Sequence, residues 1–180
     1  VKMDSLIKCI CYLAILGIAA FLLGRILPQK WFHYDRFPWR MWKLEREGTI
    51  YRKIRIHNWK ESFPDMSRIF PEIMPSKKLP RKFDPAQIEE MIVETCIAEC
   101  VHGFLCLAGL GCLFFWKGPG GICAAVLYAL GNIPYCLIQR YNRPKLVKIL
   151  ESLSKKNRNK KREESDEEST YLKLQYRTGT

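Results

Sequence analysis

Three apolar runs, at residues 5–27, 97–116 and 119–138, alternate with charged stretches along the chain. A bilayer core needs about 20 mostly apolar residues per helix. Each run reaches about that length, so the pattern predicts an all-α integral membrane protein with three transmembrane helices. Lys8 and Arg25 sit near the ends of the first run, where their stems can snorkel to headgroups, and Pro28 stops the helix. This run is long for a cleaved signal peptide and no small-x-small cleavage site follows it, so it reads as a retained anchor. Asp84 caps the next helix, with Pro85 at its first position and Gln87 at the capping-box place. That helix begins amphipathic, through Glu89, Glu90 and Glu94, and turns apolar toward Trp116. Gly118-Pro119-Gly120-Gly121 makes a tight turn. The last run ends at Gln139-Arg140, with Pro134 as a kink site.

The polar stretches complete the layout. Residues 28–85 are rich in aromatic and basic side chains, as in Trp31-Phe32-His33-Tyr34, Phe37-Pro38-Trp39, Met41-Trp42-Lys43 and Trp59-Lys60. Rings with a polar edge favour the membrane–water interface, so this is an interfacial segment. Within it Ile50–Ile56 fits either a short strand or a helical turn, and Pro64, Pro71, Pro75 and Pro80 divide the remainder. Residues 142–154 read as a short surface helix with Leu146, Ile149, Leu150 and Leu153 on one face. From 155 to 180 a basic block and then an acidic one predict a disordered charged tail. The division is thus a membrane-embedded unit, 1–154, and a tail, 155–180.

Charge sets the expected orientation. The chain has 30 Lys and Arg against 18 Asp and Glu, a net +12. Residues 28–85 carry 14 of the cations, whereas the 117–121 turn carries only Lys117. The positive-inside rule then places the middle segment and C-terminus in the cytoplasm and the N-terminus outside, in a multi-pass protein of the cell membrane. Such a basic excess fits anionic lipid. Nucleic acid is not expected as a partner, because neither zinc-finger spacing nor an aromatic–basic RNA motif is present. All eight cysteines lie in or beside the apolar runs and no CxxC occurs, so they read as small buried hydrophobes.

Charges inside an apolar run are costly unless they are paired or functional. With about 100° per residue and Glu94 at zero, Thr95 falls near 100°, Glu99 near 140°, His102 near 80° and Cys106 near 120°. These residues share one sector. Glu99 and His102, three apart, can touch. A carboxylate beside an imidazole raises its basicity and fixes its tautomer, the layout of a general base for a hydroxyl. The alternative is a packing and charge-balancing cluster with Arg140 or Arg143 as counter-ions. Glu99-x-x-His102 is half of a di-iron helix motif whose second half is absent, so no metal is expected. Arg140, Arg143 and Lys145 lie where the last span meets the cytoplasm. Arginine grips phosphate bidentately, and acyl-CoA, a co-substrate rather than a cofactor, would dock there; stop-transfer charge is the other reading.

The run Ile88-Glu89-Glu90-Met91-Ile92-Val93-Glu94-Thr95, followed by Ala98-Glu99, His102, Lys117-Gly118-Pro119, Tyr128-Ala129, Asn132-Ile133-Pro134 and Gln139-Arg140-Tyr141-Asn142-Arg143-Pro144-Lys145-Leu146, resembles the glycosyl-4,4'-diaponeurosporenoate acyltransferase family over about 84–150. The likeness extends more loosely to Arg25-Ile26-Leu27-Pro28 and Trp59-Lys60. It implies a membrane acyltransferase of staphyloxanthin-type carotenoid synthesis, joining a fatty acyl group to a sugar hydroxyl of a glycosylated lipid. The matching polar positions are Glu94, Glu99 and His102, carried as catalytic candidates, and Arg140, Asn142 and Arg143, carried as substrate-binding ones. The expected partners are the bilayer, a glycosylated lipid acceptor and a fatty acyl donor. Two alternatives stand beside this reading: an acyltransferase for another glycolipid, and a non-catalytic adaptor that recruits partners through its basic tail.

Overall fold

The computed structural model describes residues 2–46, 48–63 and 84–178. They form helices and no strand. Helix α1 spans Lys2–Ile26; three short helices follow, α2 at Lys43–Arg46, α3 at Thr49–Lys53 and α4 at Ile56–Trp59. Helix α5 runs Pro85–Ala108, a 3-10 turn at Gly109–Gly111 leads to α6 at Cys112–Phe115, and α7 runs Pro119–Thr178. Among the described residues three helical stretches, within α1, α5–α6 and α7, are long and apolar enough to cross a membrane. The prolines at 64, 71, 75 and 80 lie outside the described residues.

Local chemistry explains the helix boundaries. Asp84 accepts a hydrogen bond from the Ala86 N–H at 3.2 Å, with Pro85 in the first turn. The α6–α7 turn closes through Gly118 at φ +91°, a conformation that costs a side chain dearly and glycine little. Ile50–Ile56 resolves as helical turns broken at Arg55, whose φ is +49°.

Helices α5 and α7 pair as an antiparallel hairpin, and α1 packs along it. At the turn end Cys9, Cys112 and Ala125 are buried together. Here the Tyr12 hydroxyl donates to the Ala108 carbonyl at 2.7 Å. Gly111 leaves room for that ring, since an added Cβ would overlap the Tyr12 hydroxyl. The outward faces are apolar and exposed: Ile15 on α1, Phe114 on α6 and Leu127 on α7 are each more than 60% accessible. Apolar surface of this extent is covered by lipid in a spanning protein.

At the opposite end Ile88 and Ile92 of α5 pack on Leu146 and Val147 of α7, all buried. The predicted face of 142–154 is the one used, with Ile149, Leu150 and Leu153 against this cluster. Each fully buried isoleucine contributes about 2 kcal/mol. Tyr34 and Met41 pack on the same cluster, fastening the 28–63 segment over the end of the hairpin.

The final helix departs from expectation. Residues 142–154 are continuous with the span rather than a separate surface helix, and 155–178 continue it, where a disordered tail was predicted. No glycine occurs between 132 and 178, and Pro144 alone interrupts the donors beyond the span. Lys, Arg and Glu are good helix formers, and Lys160 pairs with Glu164 one turn on, at 3.5 Å.

Candidate active site

Four charges from three elements meet where the hairpin enters the 28–63 segment. Glu99 comes from α5, Arg140 and Arg143 from α7, and Glu45 from α2. Arg140 donates to Glu45 through Nε at 2.7 Å and Nη2 at 3.1 Å, and to Glu99 Oε1 through Nη1 at 2.5 Å. Arg143 donates to Glu99 Oε2 at 2.5 Å, to Thr95 Oγ1 at 2.9 Å, and to the carbonyls of Thr95 and Trp39. The two carboxylates balance the two guanidiniums, so the cluster is neutral. Arg143 is completely buried. An unpaired charge there would be prohibitive; a paired and fully hydrogen-bonded one is tolerated.

Glu45 is held as tightly. Its carboxylate accepts from the Trp42 N–H at 2.7 Å and the Tyr51 hydroxyl at 3.0 Å in addition to Arg140. Burial pushes this carboxyl upward, but the hydrogen bonds and charge of Arg140, with the Trp42 N–H, outweigh it and hold the pKa below the ordinary value. The same surroundings raise Tyr51, through burial first and then the Glu45 charge. Trp42 lies over the Arg140 guanidinium, 6.0 Å from its carbon.

His102 lies just under one helical turn deeper, about 4.5 Å further along α5 than Glu99. Its Nδ1 is 2.9 Å from Asn132 Oδ1 on α7. Asn132 in turn donates through Nδ2 to the Tyr128 carbonyl at 2.9 Å. That second bond fixes the amide, so Oδ1 faces the imidazole. An amide oxygen only accepts, so in this hydrogen bond Nδ1 is the donor. The ring stacks on Tyr135, centroids 4.6 Å apart at 9°. Phe63 meets Tyr135 edge-on at 5.7 Å and Trp59 meets Phe63 at 5.5 Å, so the interfacial segment walls this side.

The predicted stripe therefore does meet the arginines, through Glu99 and Thr95, and its partnerships differ from those anticipated. Both Glu99 oxygens are engaged by guanidiniums, and Asn132 takes the orienting role at His102 that was expected of Glu99. Arg140 and Arg143, expected to grip phosphate, spend their charge on Glu45 and Glu99. Glu94 is half-buried on α5 and Asn142 is half-buried on α7. Glu45 was not anticipated: it sits among Lys43, Arg46 and other charges, and nothing in that pattern marks it as buried. Asn132 had a signal, a lone amide inside an apolar run, where polar side chains bond across helices.

A family model described as glycosyl-4,4'-diaponeurosporenoate acyltransferase matches residues 28–152, which includes every residue of the site. Proteins of that name from Staphylococcus aureus align over 151 residues, covering 82% of this chain and 89% of theirs: 29% identical for strain Newman and 28% for strains bovine RF122 / ET3-1 and MRSA252. No solved structure matches. With more than half its length matched, and the ion cluster, His102 and Asn132 all inside the match, the chain belongs to the glycosyl-4,4'-diaponeurosporenoate acyltransferase family.

Proposed function

We propose that this protein transfers a fatty acyl group to a sugar hydroxyl of a glycosylated lipid, with glycosyl-4,4'-diaponeurosporenoate as acceptor, on the cytoplasmic side of the cell membrane. The observation that carries the reaction is the Asn132–His102 hydrogen bond, which makes Nδ1 the donor and so assigns the basic nitrogen of the neutral imidazole to Nε2. His102 Nε2 takes the proton of the sugar hydroxyl as its oxygen attacks the acyl carbonyl carbon. With acyl-CoA as donor, the carbon–sulfur bond breaks and the thiolate leaves, recovering the proton from the imidazolium. Asn132 is a positioning residue: it holds the tautomer and the ring plane, with Tyr135 stacked behind.

Arg140 supports the same step. Three of the five N–H donors of a guanidinium are committed to Glu45 and Glu99, and 20% of the side chain is accessible. The remaining donors are available to the oxyanion formed on the carbonyl. Arg143, with no exposure, serves the framework. The acceptor's apolar chain lies along the lipid-facing helices while its sugar reaches the polar layer. The orientation rests on the basic 28–63 and 145–162 stretches at the site end.

The test is direct. Full-length protein in nanodiscs is given acyl-CoA and the glycosylated carotenoid acid, and products are weighed by mass spectrometry. A product heavier by one acyl group is expected. Acylation of another glycolipid but not of this one would replace the acceptor; no acylation of either would refute the reaction.

A further inference from the structure

The arginines at this site are internally neutralised, which raises the question of what holds an anionic ligand. Two other cations converge nearby. The Lys145 ammonium lies 3.7 Å from the centroid of the Tyr141 ring, and the Lys60 ammonium lies 5.4 Å from the same centroid. They come from distant parts of the chain, Lys60 from the turn after α4 and Lys145 from α7. Tyr141 is itself positioned, edge-on to the buried Tyr51 at 5.4 Å, and Tyr51 donates to Glu45. Among the described residues neither lysine forms an ion pair with a carboxylate. Two ammoniums brought to one ring, with no carboxylate paired to them among the described residues, leave a local excess of positive charge beside the neutral cluster.

The geometry points to a phosphate-binding subsite made by Lys60 and Lys145 around Tyr141, which holds the phosphate of the acyl donor in the reaction proposed above. Lysine is a compact point charge with three rotatable donors, suited to a phosphate that approaches from solvent or the headgroup layer. The ring keeps both stems in place by cation–π attraction. Arg140, one residue before Tyr141, then lies at the boundary between the phosphate end and the reacting carbonyl. The subsite rests on the acyl-transfer reading only for its part in turnover; binding of phosphate is independent of it.

Two sources carry such a phosphate: soluble acyl-CoA and an anionic phospholipid. The test separates them. Full-length protein in phosphatidylcholine nanodiscs is titrated with coenzyme A by calorimetry at low and high salt. In parallel, detergent-solubilised protein exposed to phosphatidylglycerol is weighed by native mass spectrometry for retained lipid. Wild type binds at least one probe, with coenzyme A affinity falling as salt rises. Lys60→Gln and Lys145→Gln each weaken that binding about tenfold or more. The double Lys→Arg variant, which keeps both charges, retains it. Binding of coenzyme A alone names the soluble donor; lipid alone names the bilayer. The subsite is refuted if wild type binds neither probe, if the double Lys→Gln variant binds as wild type does, or if Lys→Arg loses binding as fully as Lys→Gln. Intact coenzyme A binding without acyl transfer would refute the reaction and leave the subsite standing.

Discussion

Replacing Glu99 by glutamine isolates the physics of the ion cluster. The side chain keeps its shape and loses its charge. Arg143, with no solvent exposure, would then face a neutral amide, while Glu45, the remaining carboxylate of the cluster among the described residues, pairs with Arg140 and not with Arg143. Two charge-assisted hydrogen bonds of 2.5 Å become ordinary or are lost. Removing one partner of a buried pair costs about 3–5 kcal/mol, because the other charge stays buried and uncompensated. The exposed Lys8–Asp4 pair, 2.7 Å apart with side chains 57% and 67% accessible, is the internal control; Lys8→Ala should cost no more than about 1 kcal/mol. The assay is denaturant unfolding in mixed micelles followed by tryptophan fluorescence, which Trp39 and Trp42 report from beside the cluster. A Glu99→Gln/Arg143→Met double variant should be less destabilised than the sum of its single variants, since removing both charges leaves no orphan. The reasoning fails if Glu99→Gln unfolds within 0.5 kcal/mol, about the resolution of such measurements, of wild type, or no earlier than Lys8→Ala.

Other predictions follow from separate parts of the structure. Gly111→Ala forces a Cβ into the Tyr12 hydroxyl and should cost about 1–3 kcal/mol, read as a lower melting temperature that Gly111→Ala/Tyr12→Phe does not fully restore, because the Tyr12–Ala108 bond is then gone. The Glu45 carboxyl has a folded-state pKa below its ordinary 4.5. Its stabilisation is therefore complete above that value and fades as pH falls through the lower folded one; the melting temperature should hold near neutrality and drop in acid, and Glu45→Gln should flatten part of that drop while lowering stability at pH 7. Asn132→Leu should reduce acyl transfer and flatten or shift its dependence on pH, as expected when the tautomer at His102 is no longer fixed, whereas a purely structural role for Asn132 would leave the pH profile unmoved.

Much of this architecture can be read from residue pattern because it rests on burial and caps, which leave local traces. The three apolar runs, the Asp84-Pro85 start of α5 and the Leu146–Leu153 face each correspond to an element or contact in the fold. The polar stripe on α5 is equally legible, since its angular spacing alone turns Glu99 and Thr95 toward α7. Partner choice is another matter. Glu99 chooses between His102 and two arginines by distances that only the α5–α7 register sets, and helical spacing along one helix cannot report it. Glu45 is hidden for a similar reason: its burial depends on how the 28–63 segment folds over the hairpin, fastened by Tyr34, Met41 and the Trp39 carbonyl. The helical continuation through 155–178 was missed because alternating charge blocks resemble a solvated tail in composition, while their helix propensity and one-turn ion pairing favour continuing a helix already nucleated by the span.

The central claim is that His102, oriented by Asn132, is the base of an acyl transfer. Turnover of acyl-CoA and glycosylated carotenoid acid by His102→Gln, with folding and coenzyme A binding checked in the same nanodisc preparation, tests it most directly. The account predicts a fall in kcat of about a hundredfold or more with binding unchanged, and turnover by the variant equal to that of wild type would contradict it.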